Sequence, residues 1–198
     1  YCCFNNNYKI SNVEFDIWMR LLLNTRDSVL WLLKSNNKSE QNLKKEAKFR
    51  GVDPKRIIFA DRMYNPNHIA RHQLADLFLD TFNVNAHTTA SDALWGGLPI
   101  ITKLGKSFPS RVSASLLRAL GLEELICRSV EEYEELALRI AQNKNFNLSL
   151  KKKITKNIPE YTLFKTEFFC KNLEKAYEII YNNSTLNNEP KNIYLDSN

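Results

Sequence analysis

The run Asn85-Ala86-His87-Thr88-Thr89-Ala90-Ser91-Asp92 places an imidazole, two hydroxyls and a carboxylate directly ahead of the apolar Ala93, Leu94 and Trp95. It reads as the start of a helix, where unpaired backbone N–H groups and the helix dipole attract an anion. The hydroxyls of Thr88 and Thr89 and the ring of His87 add donors, so a diphosphate is the natural guest. Asp92 follows Thr88 by one helical turn and shares its face, where a carboxylate accepts hydrogen bonds from ribose hydroxyls. The same spacing also suits a plain structural role, with Thr88 or Thr89 as N-cap and Asp92 complementing the dipole.

Two further polar stretches could act with it. His68 and Arg71 lie three apart on a short helix opened by Pro66, so both point the same way. An imidazole stacks on a pyrimidine, and a guanidinium offers fixed donors to base carbonyls or to a phosphate. Lys9, after Asn5-Asn6-Asn7-Tyr8, is placed to neutralise a phosphate and is the candidate catalytic cation, while Tyr8 and Ile10 are expected to pack. Taken singly, each of these polar residues is equally at home on an ordinary surface.

These stretches need elements to hold them. Short apolar runs at 1–4, 28–33, 56–60, 77–80, 99–102 and 124–127 alternate with amphipathic helical segments, the pattern of a parallel sheet covered by helices. The expected class is α/β, Rossmann-like, with helices on both faces. In such a sheet ligands bind beyond the carboxyl ends of the strands, which singles out the loops 5–9, 61–71 and 82–92.

Helices are expected from Ser11, with capping-box spacing to Glu14, from Ser39 to a stop at Gly51, and over 129–142. Helices alone follow, at 148–156 and 166–181, the second expected to pack its apolar face back across the domain. Residues 1–182 should form one domain and 183–198, polar and Asn-rich, a disordered tail.

With 198 residues, 43% hydrophobic, the chain suffices for one buried core. Its longest apolar run, 29–33, falls far short of a membrane-spanning helix, so a soluble protein is expected. It opens at Tyr1 on a strand-like stretch without Met or secretory signal. That suggests a start inside a longer, cytoplasmic protein. Cys2, Cys3, Cys127 and Cys170 fit neither a zinc site nor a disulfide framework and read as buried, reduced thiols. The net charge of +6 is spread over expected helix faces, without the arginine-rich blocks of a nucleic-acid binder.

Several stretches resemble the O-linked N-acetylglucosaminyltransferase and SPINDLY family in order and spacing. They are Phe4-Asn5-Asn6-Asn7-Tyr8-Lys9-Ile10, the runs 28–33 and 56–59, His68-Ile69-Ala70-Arg71-His72-Gln73-Leu74-Ala75-Asp76, Leu79-Asp80, His87-Thr88-Thr89-Ala90-Ser91-Asp92-Ala93-Leu94-Trp95 and Ser110-Arg111-Val112. The resemblance covers roughly 1–180. It implies the carboxyl-terminal lobe of a GT-B glycosyltransferase, which holds a nucleotide-sugar donor, UDP-GlcNAc in the first instance, for transfer to a protein acceptor. By position it implies His68 and Arg71 at the uracil, Asp92 at the ribose, and Lys9, Asn6, His87, Thr88 and Thr89 around the diphosphate and sugar. At two places the chain departs from the best-known members: Asn6 stands for Gln and Asn65 for Lys. The shorter Asn6 alters the pyrophosphate or sugar contact, and Asn65 removes a charge near the ribose.

The resemblance further implies an amino-terminal catalytic lobe and helical repeats elsewhere in the full-length protein. Inverting transfer without a metal or other cofactor is expected, because fixed donors and one cation can carry the leaving diphosphate and no Asp-x-Asp is present. Three alternatives stand beside it. They are a GDP-fucose or UDP-glucose enzyme, a degenerate lobe that only binds, and a basic nucleic-acid-binding protein resting on net charge alone.

Overall fold

In a computed structural model that describes residues 1–186 and 189–195, six short strands form one parallel sheet. They are β1 (Cys2–Cys3), β2 (Leu30–Leu33), β3 (Ile57–Ala60), β4 (Phe78–Leu79), β5 (Ile100–Lys103) and β6 (Ile126–Cys127), in the order β3-β2-β1-β4-β5-β6. All six expected apolar runs therefore become strands. The register is parallel throughout, with Cys2 opposite both Trp31 and Phe78, and Phe78 opposite Ile100. The order reverses between β1 and β4, where a doubly wound sheet opens its ligand crevice.

The helices between strands are α1 (Asn12–Asn24), α2 (Asn37–Phe49), α3 (Asn65–Arg71), α4 (Thr88–Trp95), α5 (Val112–Ala119) and α6 (Val130–Gln142), followed by α7 (Lys144–Glu160) and α8 (Thr166–Thr185). One helical layer joins α1 to α6, and another joins α3, α4 and α5. The core lies between them and the sheet, with Trp18, Phe4, Phe78, Leu94 and Tyr133 fully buried. Trp18 Nε1 donates to the Tyr133 hydroxyl at 3.3 Å, so a polar atom at the centre of the first layer is satisfied within it.

Several expectations change. Ser11 does not cap α1 through its side chain; its hydroxyl pairs with the buried Glu14 carboxylate, whose other oxygen accepts from Phe82 N at 3.4 Å. Glu14 is thus drawn inward to a backbone donor instead of capping its own helix. Helix α2 starts two residues earlier than expected, because Asn36 caps it and Ser39 completes a capping box. Gly51 does end it, at φ +81. Helix α5 falls between the fifth and sixth strands, where a helix without stated bounds is expected, and α7 is longer than 148–156 at both ends.

Leu150 and Ile154 of α7 enter the core, but α8 buries none of its residues. Phe169, Tyr177 and Ile180 on its apolar face are exposed, against the expectation that this face packs across the domain. Nothing in the described residues covers it. The same helix runs three residues past the expected boundary at 182, and of the tail that follows, 187, 188 and 196–198 lie outside the described residues. No described helix is long and apolar enough to cross a membrane. Cys2, Cys3 and Cys127 are buried free thiols, while Cys170, on the unburied α8, is exposed.

Candidate functional site

At the switch point the ends of β1 and β4 lie side by side, and the first polar residue after each is buried. Asp80 has no solvent exposure. One carboxylate oxygen accepts from Thr81 N at 2.8 Å, Ala86 N at 2.6 Å and Asn5 Nδ2 at 3.3 Å; the other accepts from Thr102 Oγ1 on β5 at 2.7 Å. Burial pushes its pKa up to about 6 even though the bonds from Thr102, Ala86 N and Thr81 N oppose the shift. Asn5 also donates to Thr81 Oγ1 at 2.9 Å and accepts from the Thr89 hydroxyl at 2.6 Å. Asn85 donates to Thr81 O at 2.7 Å, and its own carbonyl accepts from Lys9 Nζ at 2.9 Å. One buried network therefore ties β1, β4, β5, the start of α4 and the candidate catalytic cation together.

Lys9 closes a 3-10 turn, Asn7–Lys9, whose preceding residue is Asn6. This turn swings Lys9 off the β1 end and over the loop that leads into α4. Tyr8, expected to pack, is instead 79% exposed on the rim, where its hydroxyl accepts from Asn6 Nδ2 at 3.3 Å. Ile10 does pack against the core.

Helix α3 forms the opposite wall, and His68 and Arg71 face the cleft together. Arg71 is only 6% exposed: its Nη1 donates to Asp61 O at 2.7 Å, and its guanidinium lies 4.4 Å from the centre of the Phe4 ring. Its Nε is buried without a partner among the described residues. His68 stands 5.5 Å from the same ring, edge on. Burial first, and then the nearby Arg71 and His72, lower its pKa to about 4. At neutral pH its ring is uncharged, so its 3.9 Å approach to Asp92 Oδ2 is neither an ion pair nor a hydrogen bond. Asp92, raised in pKa by burial, sits behind His68 and not on the cleft wall itself.

Gly96, just past α4, sets this spacing: a Cβ there would stand 3.0 Å from both the His72 Cβ and the Ile69 carbonyl oxygen of α3. The start of α4 completes the cleft. His87 precedes the helix and contacts the Pro109 carbonyl at 3.3 Å. Amide hydrogen bonds begin only at Ala90 N and Ser91 N, both to His87 O, leaving the Thr88 and Thr89 N–H groups without protein acceptors among the described residues. The Thr89 hydroxyl proton is already committed to Asn5, so of the two expected hydroxyl donors only that of Thr88 is uncommitted.

The resulting cleft has a volume of about 540 Å³, within the range of small-ligand sites. Seven of the eight sequence-predicted residues line it, namely Asn6, Lys9, His68, Arg71, His87, Thr88 and Thr89, and Asp92 backs it. The sequence reasoning missed Arg62, Met63, Asn5, Phe4 and Leu33 as lining and Asp80 as the centre beneath. Asp80 had a signal, a lone carboxylate directly after an apolar strand; Arg62, in a loop without periodicity, had none. No Asp or Glu is among the lining residues, whereas three cations are. The cleft is therefore built for an anion. Among the described residues no group of three or more His, Cys, Asp or Glu is placed to hold a metal ion.

Comparison with known proteins agrees with that chemistry. The family described as glycosyl transferase family 41 matches residues 1–173. The chain is 37% identical over 174 residues to the UDP-N-acetylglucosamine--peptide N-acetylglucosaminyltransferase of Caenorhabditis elegans, covering 88% of this chain and 15% of that protein. It is 38% identical over 183 residues to a probable enzyme of the same name, SEC, of Arabidopsis thaliana, covering 92% of this chain and 19% of that protein. The chain thus spans less than a fifth of either relative. A mutant O-GlcNAc transferase of Thermobaculum terrenum matches with a TM-score of 0.82 at 28% identity, over 89% of this chain and 34% of that one. Anabaena HepE, solved with UDP and glucose, shares the fold at a TM-score of 0.59 and 12% identity, over 88% of this chain and 47% of that one.

Proposed function

The chain belongs to glycosyl transferase family 41, and from that premise we propose that its cleft binds the nucleoside diphosphate of a sugar donor, UDP-GlcNAc, for transfer to a protein acceptor. The observation that carries this reading is the cleft's make-up: three cations, two unpaired helix-start N–H groups and no carboxylate, all at the sheet's switch point. The names of the relatives support the donor and a peptide acceptor.

In this reading His68 and Arg71 hold the base, Asp92 is near the ribose, and the α4 start with His87, Thr88 and Lys9 takes the diphosphate. A neutral imidazole suits a stacking role, and an Arg held by Asp61 O and Phe4 presents its remaining donors in one orientation. As the acceptor hydroxyl oxygen bonds to the anomeric carbon and gives up its proton to the departing diphosphate or to water, the bond from that carbon to the β-phosphate oxygen breaks, with inversion. The negative charge that grows on the departing diphosphate is met by the Lys9 ammonium and by N–H groups already aimed, so no reorganisation is needed and no metal is required of these residues. Residues 1–182 act as the donor lobe, and acceptor binding and the second wall of the cleft come from the rest of the full-length protein.

Titration of the chain with UDP and GDP, to millimolar concentration, tests the reading. Saturable UDP binding is expected, weakened by about tenfold in Lys9→Ala, where one charge-assisted contact is lost, and by less in Asp92→Ala, which backs the cleft from behind His68. A preference for GDP would instead support a fucosyl donor. Indifference of both variants would sink the assignment of this cleft.

A further inference from the structure

Three cations line the cleft, and two are already engaged. The Lys9 ammonium donates to the Asn85 carbonyl, and Arg71 is buried under Phe4 and bound to Asp61 O. Arg62 differs from both. It is exposed, lies in the loop between β3 and α3, and makes one long hydrogen bond, Nη2 to Asn6 Oδ1 at 3.4 Å, across the cleft to the β1 loop. Its neighbour Asp61 is not its partner, being paired with Lys34 at 2.9 Å. Asn65, on the same wall, carries no charge. The wall formed by 62–65 therefore owes all its positive charge to one exposed guanidinium with most of its donors unspent among the described residues.

We propose that Arg62 is a diphosphate-binding residue of this cleft, its guanidinium leaving the Asn6 amide to grip the distal phosphate of the donor. This rests on the donor-lobe reading and deepens it. The planar fork of a guanidinium matches two phosphate oxygens, which a single amide oxygen does not, so the exchange of partner is favourable. It also frees Asn6 Oδ1, turning that short side chain toward the sugar or phosphate. Arg62 and Asn6 thus work as a pair: the cation crosses to the β1 loop because Asn6 is there to receive it.

The test uses Arg62→Ala and Arg62→Lys, titrated with uridine, UMP and UDP beside the parent chain and Lys9→Ala. Because Arg62 is exposed, neither variant threatens the fold. Arg62→Ala should weaken UDP binding by about tenfold or more. Uridine binding should stay within about twofold, the effect of an ordinary surface change. Arg62→Lys, which keeps the charge without the fork, should fall between parent and Arg62→Ala for UDP. Undiminished UDP binding by Arg62→Ala while Lys9→Ala loses it would overturn the role of Arg62 alone. An equal loss for uridine would overturn it too, since the contact would then be with the nucleoside. No binding of UDP or GDP by the parent chain would overturn the donor-lobe reading and this one with it.

Discussion

Asp80→Asn should leave the protein as stable as the parent, or more so, at neutral to mildly alkaline pH, whereas Asp80→Ala should be severely destabilised. The folded-state pKa of Asp80 is raised from 3.8 to about 6, because burial penalises the charged form more than its hydrogen bonds reward it. The native state therefore keeps a proton that the unfolded chain releases, and stability falls as pH rises between those two values. Above both, the buried charge costs about 3 kcal/mol. An Asn side chain keeps an acceptor for Thr81 N, Ala86 N and Asn5 Nδ2 and places its amide against Thr102 Oγ1, which turns to accept. Alanine strips all four donors of their partner, at roughly 1–3 kcal/mol each, so a loss of several kcal/mol follows. Urea unfolding extrapolated to water, at about pH 5 and about pH 7.5, measures both variants. A loss by Asp80→Asn of about 2 kcal/mol or more at the higher pH would refute the reasoning, for it would mean that the four donors favour the charge more than burial opposes it.

His68 titrates with the opposite sign. Its pKa falls from 6.5 to about 4 on folding, so its contribution is fully present above 6.5 and is lost as pH falls toward 4. His72, also lowered by burial, acts in the same direction. Stability between about pH 4 and 6 should then rise more steeply in Asp80→Asn than in the parent, and less steeply in His68→Asn; identical slopes in all three would contradict both assignments. Gly96→Ala should cost about 1–3 kcal/mol, because the added methyl meets backbone and the His72 Cβ at 3.0 Å, and should weaken nucleotide binding by moving His68. In native protein a thiol reagent should modify Cys170 only, since Cys2, Cys3 and Cys127 are buried with raised pKa values; all four should react in denaturant.

The strands and the site loops were legible because both follow from local chemistry. An apolar run becomes a buried parallel strand wherever helices cover both faces, and the residues after its carboxyl end then fall in the crevice. Lys9, His68, Arg71 and the His87–Thr89 run needed no tertiary information to be placed there. What escaped was decided across the sheet. Glu14 looked like a capping-box partner, but Phe82 N, far off in the chain, draws it inward. Thr89 looked like a free donor, but Asn5 takes its proton. Tyr8 looked apolar enough to bury, but the turn at Asn7–Lys9 carries it to the rim. The first two misses are side chains whose partners come from another strand end, and spacing along one chain does not report such pairs.

The switch point makes one such pair decisive. Between β1 and β4 the sheet changes direction of winding, so β1 connects through α1 to β2 on one side while β4 leads through α4 to β5 on the other. The chain passes from one half to the other through α3, and the crevice opens at the carboxyl ends of β1 and β4, where the winding reverses. Hydrogen bonds from Asn5 to Asp80 and Thr81, and from Thr89 to Asn5, close that seam from below with buried groups. Lys9 belongs to the half that ends at β1 and the α4 N–H groups to the half that begins at β4, so under the proposed function one diphosphate spans both. A change that loosens the seam should then weaken diphosphate binding while leaving binding of uridine, assigned to α3 in the proposed function, largely unaffected. Asn5→Ala, measured against UDP and uridine, separates the two; parallel losses would show that the halves do not act as separate walls.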